Sequence, residues 1–172
     1  LEWSKNGGDG IFTTDEQTLV TNYTPGNTEI SNGQVQLTLT GTATSPCSAN
    51  SEATVTYTIV KKPTLIIAPT TVSICEDEVY QVTPGQVTIT DFTNVDSILW
   101  SASSPGTIAV GSARDLEPLF TPSAADIANG FSILTAVVTP IGPCTETLIE
   151  TIRVDITKNP TIDISGNSLI FC

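Results

Sequence analysis

The chain repeats itself at a fixed distance of 97 residues, and this repeat limits its fold more than any other feature. The stretch TPGNTEISNG at 24–33 returns as TPSAADIANG at 121–130, with an acid, Glu29 or Asp126, ahead of each Ile. With no gap allowed, Trp3-Ser4 falls on Trp100-Ser101 and Leu37-Thr38 on Leu134-Thr135. Pro46-Cys47 falls on Pro143-Cys144, Pro63-Thr64 on Pro160-Thr161, and Cys75 on Cys172. Of the 75 overlapping positions, 21 are identical. One ungapped offset across the whole overlap marks a tandem repeat, in which each copy folds as one unit of a series.

A period of 97 residues is the size of an immunoglobulin-like sandwich, about 100 residues. The apolar residues alternate as in strands. Val35, Leu37 and Leu39 do so in the first copy, as do Val55, Tyr57 and Ile59; Ile152, Val154 and Ile156 do so in the second. No window predicts a helix longer than a turn or so. TPSAADIANG reads as a crossover between strands, with one helical turn ended by positive-φ positions at Asn129-Gly130. Trp3 and Trp100 open strand-like runs and are expected in the core. KKPT at 61–64 and KNPT at 158–161 follow strands, and their prolines forbid a continued central ladder. The expected fold is therefore all-β: tandem immunoglobulin-like Greek-key β-sandwich modules of about 97 residues. Residues 1–62 are expected to be the C-terminal part of a first repeat, 63–158 a complete second repeat, and 159–172 the first strand of a third. Residues 76–97 have no counterpart in the first copy, which predicts a slice of a longer array.

Composition excludes several functions. A formal charge of −12 opposes binding to nucleic acid or to an anionic membrane, both of which need basic patches. No apolar run approaches the 18 or so residues of a membrane span. With no His, a Ser–His nucleophile is impossible. The four Cys stand 28, 69 and 28 residues apart with no CxxC pair, unlike a zinc site. The chain is read as no enzyme, with no catalytic residue and no cofactor. A calcium site is an option only in the first copy, where Asp9, Asp15 and Glu16 share a loop; the second copy has SSPGTIAVGSA there, without an acid. Abundant Thr, Ser and Val, only 14% charged residues and two Cys per period suit an exported β-protein in an oxidising compartment.

The order Ile74-Cys75, Leu99-Trp100-Ser101, FTPSAADIANG from Phe120 to Gly130, Gly142-Pro143-Cys144 and a closing strand ending in Asn159-Pro160-Thr161 resembles the tandem repeats of giant Bacteroidetes cell-surface adhesins. It is most similar to the SprB-like mobile adhesins of gliding flavobacteria, which are type IX secreted. The resemblance covers the whole chain and implies an extracellular, cell-surface location. It also implies a structural role as stalk or spacer in an adhesin or gliding filament that contacts surfaces. Neighbouring repeats are the expected partners, with surface polysaccharide and other cell-surface proteins as further candidates. The alternatives are a carbohydrate- or partner-binding module of a secreted protein, and an accessory region of a secreted enzyme. Asp96-Ser97-Ile98 matches the short Asp-Ser-hydrophobic pattern of Bacteroidetes O-glycosylation, which makes Ser97 the candidate acceptor.

Two Cys per period require the same pairing in every repeat. Three schemes satisfy this: Cys75 with Cys144 inside one module; Cys47 with Cys75 and Cys144 with Cys172 across the Pro turns; or each Cys with one in a module outside these residues. Cys75–Cys144 closes one module by itself and is the expected pair, although it needs the early strand in an unusual place.

Overall fold

The computed structural model describes residues 1–112 and 114–162. They fall into two compact units, Leu1–Lys62 and Pro63–Cys172. The expected opening of a third repeat at 159–172 lies mostly outside the described residues.

Unit 1 contains β1 (Glu2–Lys5), β2 (Ile11–Phe12), β3 (Tyr23–Thr24), α1 (Asn27–Asn32), β4 (Gln34–Gly41) and β5 (Ser51–Thr58). Unit 2 begins with β6 (Thr64–Ile67), β7 (Thr71–Cys75), β8 (Tyr80–Gln81) and β9 (Val87–Thr90). It continues with β10 (Val95–Ala102), β11 (Thr107–Ala109), β12 (Leu119–Thr121), α2 (Ala124–Asn129), β13 (Phe131–Pro140) and β14 (Leu148–Thr157). Unit 1 repeats β10 to β14 and has no counterpart of β6 to β9.

Unit 2 is an immunoglobulin-like β-sandwich. One sheet has the order β10-β13-β14-β7; the strands facing it are β11-β12-β8 and β6-β9. A turn from Thr83 to Gln86 separates β8 from β9, with Gly85 at φ 83°. Alternation along the strands builds the core between the layers. Leu134, Ala136 and Val138 of β13 and Ile152, Val154 and Ile156 of β14 face Leu65, Ile67, Tyr80, Val82, Val87 and Phe120. Each large apolar side chain buried there contributes about 1.5–3 kcal/mol relative to exposure. β6 and β7 belong to different sheets, and the chain changes sheets between Ala68 and Thr70. β7 then runs parallel to β14, with Thr71 beside Arg153 and Cys75 beside Thr157.

The 97-residue period reappears in the hydrogen-bonded register. Trp3 lies opposite Leu39 as Trp100 lies opposite Ala136. Leu37 lies opposite Val55 as Leu134 lies opposite Ile152. The Trp3 indole N–H donates to the Thr18 carbonyl at 3.1 Å, and that of Trp100 to the Asp115 carbonyl at 2.9 Å. These partners too are one period apart. Trp100 is buried, whereas Trp3 is only half-buried. One hairpin departs from the pattern: Ile11 pairs with Thr24, but Ile108 pairs with Phe120, a slip of one residue. Strands of two or three residues carry too little hydrophobic pattern to fix a register.

Equivalent positions differ sharply in burial. Ile152 and Val154 are 0% exposed under β6 and β7, whereas Val55 and Tyr57 are 38% and 53% exposed.

Candidate functional site: a repeated acid beneath the helical turn

The segment that opens on Thr-Pro forms the same short helix in both units, α1 and α2, followed by a glycine in the left-handed region, Gly33 at φ 73° and Gly130 at φ 78°. That conformation favours glycine, and it lets the cap amide bond back onto the last turn. Asn129 ends the helix, and of the expected positive-φ pair Gly130 alone adopts that conformation.

The third helical residue is an acid that turns inward. Glu29 is 3% exposed and Asp126 is 0% exposed. A buried carboxylate persists only when hydrogen bonds replace its water. Asp126 Oδ2 accepts from the Ser123 amide at 2.8 Å and the Ser123 hydroxyl at 2.6 Å, which closes a capping box. Its Oδ1 accepts from the Ser104 hydroxyl. Glu29 Oε2 accepts from the Gly26 amide at 2.9 Å, and its Oε1 from the Tyr23 hydroxyl.

The two sites use different donors for one purpose. Tyr23 occupies the repeat position of Phe120, which has no hydroxyl; Ser104 occupies that of Gly7, which has no side chain. The hydroxyl lost at Phe120 is thus supplied at Ser104. Glycines let the loop after the Trp strand lie against the acid. A Cβ on Gly106 would stand 2.6 Å from Phe120 and 2.7 Å from Asp126, and one on Gly8 or Gly10 would stand 2.3 Å from a Glu29 oxygen.

Burial raises the Asp126 pKa, but the hydrogen bonds from the Ser123 side chain and backbone, Ser132 and Gly106 outweigh it, leaving the carboxyl below its ordinary range. Tyr23 is pushed up, first by burial and then by its bond to Glu29. Each acid is enclosed and fully partnered, so its chemistry is that of a clamp. Glu29 ties its helix to the preceding strand through Tyr23, and Asp126 ties its helix to the loop behind the tryptophan through Ser104.

The other expected residues do not converge. Asp9 turns to α1, where its carboxylate accepts the Thr28 amide at 2.8 Å, and this bond holds its pKa down. Asp15 accepts the Gln17 amide at 2.9 Å. Among the described residues no three His, Cys, Asp or Glu gather as a metal requires. Ser97 is half-buried beside an irregularity in β10 and lines a shallow groove with Leu99, Val110 and Val137.

The expected Cys75–Cys144 bridge is not formed. Cys75 carries a free thiol at the end of β7, beside Thr157. Cys144 lies in the connection that leads into Leu148, at the other end of β14. Ten residues of strand span about 30 Å, whereas a disulfide needs Cα atoms within about 7 Å. The parallel pairing of β7 with β14 thus separates the two sulfurs. Cys47 is also a free, exposed thiol, and Cys172 lies outside the described residues.

The buried acids were missed from the sequence, where each was noted only as preceding an Ile. The available signal was the capping box S-x-x-D at 123–126.

No protein-family model matches the chain, and no curated protein matches it. Among solved structures it is similar to the extracellular domain of protocadherin gammaB4, with 14% identity over 90% of the chain and a TM-score of 0.45. The chain spans 27% of that protein's length. It is also similar to the first two extracellular domains of human mucin-like protocadherin, with 14% identity, a TM-score of 0.43, and coverage of 92% of this chain and 84% of that one.

Proposed function

We propose that the chain is a structural repeat segment of a long extracellular adhesin or gliding filament, acting as stalk and spacer at the cell surface. The observation that carries this reading is the hydrogen-bond frame that returns every 97 residues: indole to carbonyl, acid to cap, strand to strand. The two copies share this frame although only 21 of their 75 overlapping positions are identical, as expected where spacing and stiffness are the product. The acidic, His-free surface supports a spacer that repels its neighbours. The sequence resemblance to SprB-like adhesins supports type IX export and surface display. A polar depression of about 340 Å³ in unit 1, lined by Asn6, Glu29, Asn32, Gln34 and Gln36, favours carbohydrate contact as the second reading.

Antibodies raised against this chain test the proposal on cells that express it. Gold label should fall along fibres outside intact cells and be removed by external protease. Label found only after permeabilisation would refute it.

A further inference from the structure

The chain contains three Asn-Gly pairs, Asn6-Gly7, Asn32-Gly33 and Asn129-Gly130. Such a pair can react with itself. The glycine amide nitrogen, once it has lost its proton, attacks Cγ of the asparagine, and no Cβ on the glycine obstructs the approach. All three asparagines are exposed, so access to water does not distinguish them. The backbone does.

Asn32 and Asn129 are the last residues of α1 and α2, and the nitrogens that would attack them are engaged. The Gly33 amide donates to the Glu29 carbonyl at 2.9 Å and the Ile30 carbonyl at 3.3 Å; the Gly130 amide donates to the Asp126 carbonyl at 2.9 Å. The carbonyls of the same glycines accept from the Ile59 and Ile156 amides, each at 2.8 Å. The helix end must open before either nitrogen is available. Asn6 instead follows the last residue of β1, and the Gly7 amide donates no backbone hydrogen bond among the described residues. Gly7 has φ 78°, with nothing within 4 Å of where a Cβ would stand, so the chain has room to turn there. The Asn6 side chain is held by one exposed bond, from Nδ2 to Gln36 Oε1 at 3.2 Å, for which water competes. Ser103, at the repeat position of Asn6 in unit 2, is exposed as well, so the exposure belongs to the loop itself.

We propose that Asn6 is a site of spontaneous deamidation in the folded chain, and that the helix caps shield Asn32 and Asn129. A bond forms between the Gly7 nitrogen and Asn6 Cγ. The Cγ–Nδ2 bond breaks, and Nδ2 leaves as ammonia with the proton that the Gly7 amide gave up. Water then opens the cyclic imide at one of its two carbonyls, which gives aspartate or isoaspartate. One water enters and one ammonia leaves, with no oxidation or reduction. The product places a new carboxylate in the depression lined by Glu29 and Gln36, and isoaspartate also lengthens the backbone where it leaves β1. Unit 2 has Ser103 there, so this position is modified in one copy only. This inference is independent of the surface role proposed above.

Incubation of the full native chain at mildly alkaline pH, then digestion in acid and mass spectrometry of the peptides, tests it. Asn6 should gain the mass of an amide-to-acid change faster than Asn32 or Asn129 by about tenfold or more, because their caps must first open. In urea the three should convert at similar rates. Asn6→Ser, which copies Ser103 of unit 2, should remove most of the ammonia that the native chain releases. Three outcomes would overturn the proposal: a native Asn6 that converts no faster than the two capped residues, the same preference for Asn6 in urea, or undiminished ammonia from the variant. Far-ultraviolet circular dichroism matching the wild type establishes that the variant is folded.

Discussion

Replacing Asp126 with alanine tests whether the buried acid is a clamp. The carboxylate is 0% exposed and accepts from the Ser123 amide, the Ser123 hydroxyl and the Ser104 hydroxyl. Hydrogen bonds to a charged group contribute about 1.5–3 kcal/mol each, and a donor left buried without a partner costs about 1–3 kcal/mol. The Ser123 hydroxyl can rotate to the helix amides and recover part of the loss, since it already accepts the Asp126 amide at 3.3 Å. The buried desolvation cost of the carboxylate also disappears with it. The expected net loss is about 3 kcal/mol, which for a unit of this size lowers the melting temperature by about 12 °C. The two tryptophans lie in different units, so a Trp3→Phe background leaves Trp100 as the reporter of unit 2. Urea unfolding followed by Trp100 fluorescence gives the difference directly. Asp126→Asn, which keeps one carbonyl acceptor, should lose less than Asp126→Ala. A loss below about 1 kcal/mol for Asp126→Ala, or an equal loss for both, would refute the clamp.

Three further outcomes follow from the same geometry. Because the folded Asp126 titrates below its unfolded value of about 3.9, its contribution is complete above about pH 4 and fades as pH falls through the folded pKa. Acid titration of unit 2 should therefore show a limb below about pH 4 that Asp126→Asn flattens. Gly106→Ala drives a Cβ into Phe120 and Asp126, both 0% exposed, and should cost about 2 kcal/mol or more by the same fluorescence assay. Cys47 and Cys75 should react with a maleimide in the native chain, and peptide mapping after mild oxidation should yield no Cys75–Cys144 peptide.

The long strands were legible because they alternate. β4, β5, β13 and β14 run eight to ten residues each, enough for period 2 to declare itself, and the 97-residue offset transferred their register between copies. The short strands were not legible. β8 has two residues and β9 four, and nothing local says that they are pieces of one layer broken by a turn. The placement of β7 depends on pairing with β14 residues 82 positions away, and the disulfide expectation failed on that point. Asp126 was hidden by its own chemistry: carboxylates are almost never fully buried unless paired, and the pairing hydroxyl moves from Tyr23 in one copy to Ser104 in the other. A position-by-position match between copies cannot show a donor that changes place.

The parallel pairing of β7 with β14 also determines how unit 2 bears tension. A pull on Pro63 loads β6 against β9 first; once β6 has come away it draws β7 backwards, while a pull beyond Thr157 draws β14 forwards. The two strands are then loaded in shear along five registered pairs, Arg153 with Thr71 through Thr157 with Cys75. Sliding them apart must strain those bonds together, whereas peeling a hairpin breaks them one at a time. The rate of forced unfolding follows the barrier rather than the equilibrium stability. A sandwich of modest stability can therefore hold load for long times when gripped at these two points, and yield readily when pulled across its sheets.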